Sequence, residues 1–218
     1  MLAKVFSCAV VGLDGVLVEV EVDVGQGQPG IFIVGLPDAA VQESRERVRS
    51  AIRNSGGRVP LGKMTVNLAP ADLKKAGPTY DLPIAIGILI ASRQVFADMS
   101  DSLVVGELSL DGIVRHTPGI IAMIALAAEK GLSRAFVPAG DAPEASLIQG
   151  VEILPVRTLA DVVNHLTCEV PIAPFQAEQV VERDFQSGLT DFSEIRGQEH
   201  VKRALEIAAA GAHNALTY

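Results

Sequence analysis

This sequence is poor in the residue types that build metal sites and disulfide scaffolds. It has no tryptophan, only 4% aromatic residues and two cysteines, Cys8 and Cys168, which lie far apart and outside any Cys-X-X-Cys pattern. Such spacing excludes a disulfide framework and a cysteine zinc site. The histidines share no metal-ligand spacing either. We therefore predict no metal site and assign isolated surface or capping roles to His116, His165, His200 and His213.

Long apolar runs are also absent. The longest, Leu82 to Ala91, is far shorter than the roughly 20 residues of a membrane-spanning helix. We interpret it as a buried core helix and expect a cytoplasmic protein with no membrane partner. With few aromatic residues, the core must be built from Val, Ile, Leu and Ala, which is typical of sheets covered by helices. The predicted class is α/β or α+β.

Positive charge is scarce overall but locally concentrated. The net charge of −8 argues against a protein that wraps nucleic acid with its whole surface. The segment from Glu43 to Lys75, however, contains eight basic residues and only three acidic ones. Three of the arginines recur every four residues, so a helix would align them as one stripe. The alternative is a solvated helix face moderated by pairs such as Glu43 with Arg47. The candidate DNA-contacting residues are Arg45, Arg49, Arg53, Arg58, Lys63, Lys74 and Lys75.

Hydrophobic periodicity predicts alternating strands and helices. Strands are expected at 4–11, 16–24, 30–34, 63–68, 135–138 and 151–155, and helices at 38–54, from 81, and at 118–130, 144–149 and 159–166. A hairpin is predicted between residues 103–110 and 112–115. The Gly-X-Gly-X-X-Gly spacing from Gly25 to Gly30 matches dinucleotide-binding loops, but Pro29 and a β-branched strand follow it where such a loop needs a helix. We interpret it as a loop between strands.

The segment from Leu73 to Ile86 carries the first family resemblance. It reads LKKAGPTYDLPIAI and resembles the junction of Lon proteases at which Lys-X-Gly-Pro-Ser places the catalytic serine before an apolar helix. The run GELSLDGIV from Gly106 resembles the Lon hairpin that leads to the catalytic lysine. The resemblance implies a Lon-protease-like domain, a mixed sheet with packed helices, as in the second domain of ribosomal protein S-five.

In this alignment the catalytic pair of Lon is degenerate. Thr79 occupies the serine position and Ile121 the lysine position. A Ser-Lys pair works because a desolvated amine takes the hydroxyl proton, which isoleucine cannot do. We therefore expect no catalytic residues. The alternative left open is a peptidase with Thr79 as nucleophile and an amine from Lys74 or Lys75.

The closing segment, Asp191 to Asn214, carries the second resemblance. It contains EIRGQEHVKRALEIAAAGAHN and resembles the start of the AAA+ module of magnesium-chelatase subunit I and ComM/YifB proteins. There the Gly-Gln turn lies near adenine, which implies that Ile195, Gly197 and Gln198 bind nucleotide in the intact protein. We predict a Lon-like domain at 1–166, a linker at 167–190 and an AAA+ start at 191–218, cut before the phosphate loop.

Together the two resemblances imply a ComM/YifB-type protein. The implied role is that of a non-catalytic N-terminal domain, contacting DNA or a partner, in a hexameric AAA+ motor that acts on DNA branches in natural transformation. ATP and Mg²⁺ would serve the full-length protein and not this piece, and a ring would form through the missing module. The alternatives are the Thr79 peptidase and a motor subunit of a true magnesium chelatase.

Overall fold

The computed structural model describes residues 2–176 and 191–216 of the 218-residue chain. It divides into two compact units, Met1–Ala177 and Glu178–Tyr218. Within the described parts, no helix combines the length and the apolar character needed to cross a membrane.

The first unit is built on a mixed, mostly parallel sheet. The described strands are β1 Leu2–Val11, β2 Asp14–Gly25, β3 Gly30–Val34, β4 Lys63–Ala69, β5 Ser102–Val104, β6 Glu107–Leu108, β7 Val114–Arg115, β8 Arg134–Pro138 and β9 Glu152–Val156. The sheet has the strand order β3-β4-β2-β1-β5-β8-β9, and only the pairs β1–β2 and β2–β4 are antiparallel. A separate two-stranded hairpin is formed by β6 and β7.

Helices cover one face of the sheet fully and the other only in part. The helices are α1 Ala39–Asn54, α2 Asp81–Ala91, α3 Ile120–Glu129, α4 Ala142–Ala145 and α5 Leu159–Leu166, with α6 Glu199–Ala210 in the second unit. One hydrophobic cluster joins α1, α2 and α5 to the sheet, and a second joins α3 and α4 to the opposite face of β1, β5, β8 and β9. On that second face, β2, β4 and β3 carry exposed or half-buried side chains.

Most predicted elements are present, and two predictions were wrong. The run predicted as one hairpin strand splits, because Leu103 and Val104 are buried on opposite faces and β5 joins the main sheet between β1 and β8. Only β6 pairs with β7. The helix predicted at 144–149 is α4, which ends at Ala145. Beyond it the chain turns, leaving Leu147 70% exposed while Ile148 packs on the second hydrophobic cluster.

Part of the segment predicted as a linker lies against the first unit. The amide of Ile172 donates to His165 Nδ1 at 2.9 Å, and the amide of Phe175 donates to the Ile153 carbonyl at 2.8 Å. Both side chains also pack on the hydrophobic clusters. Residues 177–190, which make up the rest of the predicted linker, lie outside the described residues.

Two carboxylates hold helix α1 in place: one caps its N-terminus and the other binds an arginine on the helix. Asp38 caps its N-terminus by accepting from the Val41 amide at 2.8 Å. Nine residues after Asp38, Arg47 donates to both carboxylate oxygens of Asp81, with Nε 2.6 Å from Oδ2. Asp81 is fully buried at the start of α2 and also accepts from the Leu108 amide. This single carboxylate therefore joins α1, α2 and β6.

Helix α2 lies directly on the sheet. All of its residues are buried, as expected for an apolar run that is not amphipathic. Gly87 permits the close approach, because a Cβ there would lie 2.6 Å from Cγ2 of Val22 on β2. The position of α2, and of the loop that precedes it, is thus fixed by packing as well as by Asp81.

Breaking the Arg47–Asp81 pair should strongly destabilise the fold. We expect Arg47→Met to lower the free energy of unfolding by about 3 kcal/mol, since a buried carboxylate loses its partner. The loss should be smaller near pH 5 than near pH 8, because burial raises the pKa of Asp81 and the orphaned group can take up a proton. Urea unfolding measures this.

The matched control is Arg49→Met, an exposed arginine on the same helix, which should change stability by less than about 0.5 kcal/mol. Adding Asp81→Leu to Arg47→Met should recover much of the loss, because the uncompensated charge is removed. Equal destabilisation by Arg47→Met and Arg49→Met would contradict this account of α1.

Candidate functional site

A surface pocket lies where the Lon-like junction meets the β6–β7 hairpin. It has a volume of about 280 Å³ and is lined by the loop from Ala76 to Tyr80, by β1 and by the segment before α3. Its polar lining residues are Lys74, Thr79, Glu107, His116 and Thr117. The structure thus brings Thr79 together with a histidine, a carboxylate and an exposed lysine.

The best-defined polar contact beside this pocket is an aspartate-histidine pair. His116 Nδ1 lies 2.5 Å from Asp141 Oδ1, and the other oxygen of Asp141 accepts from the Thr117 amide at 2.8 Å. Asp141 is only 4% exposed. Its hydrogen bond and negative charge raise the pKa of His116 above the ordinary value. The Thr117 hydroxyl, also buried, makes no hydrogen bond to any residue that the structure describes.

The two lysine candidates for a catalytic amine occupy different environments. Lys74 is exposed and lines the pocket. Lys75 is fully buried, donates to the Pro70 carbonyl, and has a pKa lowered by burial. Ile121 is 42% exposed on α3 and is not among the residues that line the pocket. Within residues 2–176 no hydrogen bond joins the Thr79 hydroxyl to a base, so the arrangement contains a hydroxyl and an imidazole that are not connected.

A second candidate surface lies on α1. The helix buries Val41, Ser44, Val48, Ala51 and Ile52 and exposes the arginine stripe. Of the three stripe residues, Arg45 donates to the Gln42 carbonyl at 2.8 Å. Arg49 and Arg53 form no ion pair with any residue in the described ranges. Their charge is therefore available to a ligand.

The remaining basic candidates are distributed unevenly. Arg58 is exposed in the loop after α1. Its amide donates to Gln94 Oε1 and its carbonyl accepts from Gln94 Nε2, both at 2.7 Å. Lys63 is exposed at the start of β4, with Nζ 5.3 Å from the ring centroid of Phe32. Lys74 lies in the pocket described above. Lys75 must be removed from the set of DNA-contacting candidates, because a fully buried amine cannot reach a phosphate on the surface.

The candidate nucleotide-contacting residues lie together in the second unit. Ile195, which is 41% exposed, precedes Gly197, whose φ of +76° favours glycine. Gln198 directly precedes α6, and Lys202 on that helix donates to the Ile195 carbonyl at 2.5 Å. No residue of α6 is buried. Across the described residues, no group of three or more His, Cys, Asp and Glu side chains could hold a metal ion.

Two features of these sites could not be found from the sequence. His116 and Asp141 are separated by 25 residues, and only the packing of α3 and β8 brings them together. The exposed ring of Phe32 beside Lys63 depends on the pairing of β3 with β4. Neither contact leaves a spacing pattern in the chain.

Comparison with known proteins places this chain in a family. The family described as "Subunit ChlI of Mg-chelatase" matches residues 20–141, and the one described as "Magnesium chelatase, subunit ChlI" matches residues 191–218. Competence protein ComM of Haemophilus influenzae is 43% identical over 218 residues, and YifB of Escherichia coli is 42% identical over 216 residues. Each alignment covers 99% of this chain. The chain belongs to the ComM/YifB family of magnesium-chelatase-like proteins.

As a member of this family, the chain belongs to a group of AAA+-type proteins. It spans only 43% of the length of ComM and 42% of that of YifB. It is also similar to Lon protease 2 of Bacillus subtilis, at 27% identity over 183 residues, covering 75% of this chain and 33% of the protease. The chain is thus also similar to a Lon protease, but at a lower sequence identity than to ComM and YifB.

The pKa values of His116 and His165 should be shifted in opposite directions. We expect the pKa of His116 to lie above 6.5 because of Asp141, and that of His165 to lie below it because of burial. His116 then stabilises the fold below pH 6.5, and this contribution is lost as pH rises through its folded pKa. His165 stabilises the fold above pH 6.5, and its contribution is lost on acidification. NMR titration of the imidazole signals measures both.

Asp141→Asn should bring the pKa of His116 down towards 6.5 and leave that of His165 in place. A His116 pKa that does not respond to Asp141→Asn would mean that the pair does not exist in solution.

Proposed function

We propose that this chain is the N-terminal, non-catalytic domain of an AAA+ ATPase that acts on DNA in the cytoplasm, and that α1 contacts the DNA backbone. Its fold is proposed to be that of the Lon protease domain and of the second domain of ribosomal protein S-five. The proposal rests first on one observation. Arg45, Arg49 and Arg53 form an exposed stripe on a helix that a buried ion pair holds in place.

Such a stripe suits phosphate recognition. Successive members lie one helical turn apart, about 6 Å, which is close to the spacing of phosphates along a strand. Contacts of this kind are made to the backbone and are largely independent of sequence. The neighbouring Arg47 is committed to Asp81, so the fold separates a structural arginine from those left free. Arg58 is exposed in the loop after α1, and Lys63 lies beside Phe32 at the start of β4.

The family supports the rest of the proposal. The Haemophilus influenzae relative is named a competence protein, and we propose a role in natural transformation for the protein that carries this chain. In that protein Ile195, Gly197 and Gln198 would contact adenine. A phosphate loop beyond this segment would supply the amide cradle for ATP and Mg²⁺. Ring assembly would follow from the same module.

A peptidase is the second candidate, and the pocket is the observation that favours it. Thr79 and His116 line the same cavity, and Asp141 orients the imidazole through Nδ1. This resembles the hydroxyl-imidazole-carboxylate order of hydrolytic triads. Against it, none of the described residues hydrogen-bonds the Thr79 hydroxyl as a base, and the resemblance to Lon implies Ile121 at the lysine position. The proposal therefore assigns the pocket no proteolytic role.

We predict that the chain does not cleave protein substrates. Incubation with unfolded casein, followed by gel electrophoresis, should show no products above a buffer control, because no base among the described residues is positioned to take the Thr79 proton. Cleavage that is lost in both Thr79→Ala and His116→Gln would establish the peptidase instead. Cleavage that survives both changes would identify a contaminating protease.

We predict that the arginine stripe determines DNA affinity. Changing Arg45, Arg49 and Arg53 together to Ala should weaken duplex binding. If all three contact phosphates, the slope of log K against log salt should fall by about 3 in magnitude. Fluorescence anisotropy of a labelled duplex across a salt series measures both quantities.

A charge-matched control is available on the same chain. Arg93, Lys130 and Arg157 are exposed and lie outside α1, so changing all three to Ala removes the same charge. This variant should keep most of the salt slope. Equal effects of the two triple variants would mean that net charge alone, and not the α1 stripe, governs binding.

A further inference from the structure

The free edge of the sheet forms a groove beside the arginine stripe. Strand β3 is the terminal strand of the seven-stranded sheet, so its outer edge pairs with no described strand. A groove of about 190 Å³ runs along this edge and is lined by Gly30, Ile31, Phe32, Arg45, Glu46 and Arg49. Arg45 and Arg49 therefore line one groove together with the edge residue Phe32, and Glu46 is the acidic residue among them.

The ring of Phe32 is unusually placed for a core-forming residue. Its strand neighbours Ile31 and Ile33 are buried under α1, whereas Phe32 points to the uncovered face of the sheet and is 39% exposed. Lys63 Nζ lies 5.3 Å from the ring centroid, within the range of a cation–π contact. An exposed aromatic ring next to basic groups is the arrangement that stacks a nucleic acid base beside its phosphate.

Acidic side chains limit the path that a nucleic acid could take. On the uncovered face, the residues paired laterally with Phe32 are Thr65 on β4 and then Asp23 on β2. Adjacent strands are about 4.8 Å apart, so the backbone of Asp23 lies about 10 Å from that of Phe32. Glu19 and Glu21 lie further along β2, where Glu19 is paired with Lys4 at 2.6 Å and Glu21 accepts from Asn67. A phosphate backbone therefore meets a more favourable charge beside the arginines of α1 than over β2.

We propose that this edge groove binds an unpaired DNA strand, with a base stacked on Phe32 and phosphates held by Arg45 and Arg49. The inference rests on the proposed contact of α1 with DNA and specifies its substrate class. Stacking requires a base that is free on one face, which a continuous duplex does not offer. The stripe alone accepts either form of DNA, and Phe32 adds the preference for an unpaired strand.

The decisive variant is Phe32→Leu, tested with a labelled 12-nucleotide thymidine strand and with a duplex of the same length. Leucine keeps apolar bulk but cannot stack, so affinity for the single strand should fall about tenfold while duplex affinity is unchanged. The salt slope should also be unchanged, because stacking releases no counterions. Phe32→Trp should retain single-strand affinity.

Phe96→Leu is the matched control. Phe96 is 76% exposed and lines a different surface pocket, together with Arg134 and His165. It should leave both affinities unchanged, and thermal melting of each variant would confirm that the fold is intact.

The outcomes separate this inference from the function on which it rests. Loss of binding in the Arg45, Arg49 and Arg53 variant, with no effect of Phe32→Leu, would overturn the stacking site and leave the α1 contact standing. Equal loss of single-strand and duplex affinity in Phe32→Leu would also overturn the stacking site. No effect of either variant would overturn both proposals.

Discussion

The buried contact between Arg47 and Asp81 organises the first unit. One carboxylate at the start of α2 receives two hydrogen bonds from Arg47 on α1 and a third from the Leu108 amide on β6. A fully buried carboxylate is costly unless it is paired and hydrogen-bonded, so these partners are required and not optional. The contact fixes how α1 is rotated about its axis. That rotation exposes Arg45, Arg49 and Arg53 and turns Arg47 inwards.

The same carboxylate connects the two candidate sites. Asp81 directly follows the loop that carries Thr79, and its partner amide at Leu108 lies on the hairpin that contributes Glu107 to the pocket. The pocket is therefore held in shape by the same buried contacts that anchor α1 and α2. The His116–Asp141 pair is explained in the same way. The buried carboxylate of Asp141 gains hydrogen bonds from His116 and from the Thr117 amide, and this structural role requires no reaction at Thr79.

Prediction from sequence succeeded where local pattern determines structure. The periodicity of α1 identified its buried face, and the segment from Gly25 to Gly30 was correctly predicted to connect two strands. Prediction failed where contacts between distant parts of the chain determine the structure. Nothing local shows that Ser102–Val104 joins the main sheet, or that Lys75 is buried while its neighbour Lys74 is exposed. The groove at Phe32 likewise depends on which strand lies at the edge of the sheet.

Mapping the DNA-contacting surface directly is the strongest test of the claim that α1 and the β3 edge, and not the Lon-like pocket, form the functional surface. Amide NMR spectra of the ¹⁵N-labelled chain would be recorded during titration with a short single strand. Shifts should concentrate in β3, α1 and Lys63, while the amides of Thr79, His116 and Thr117 stay unchanged. Shifts centred on the pocket, or an unperturbed α1 at saturating DNA, would contradict the account.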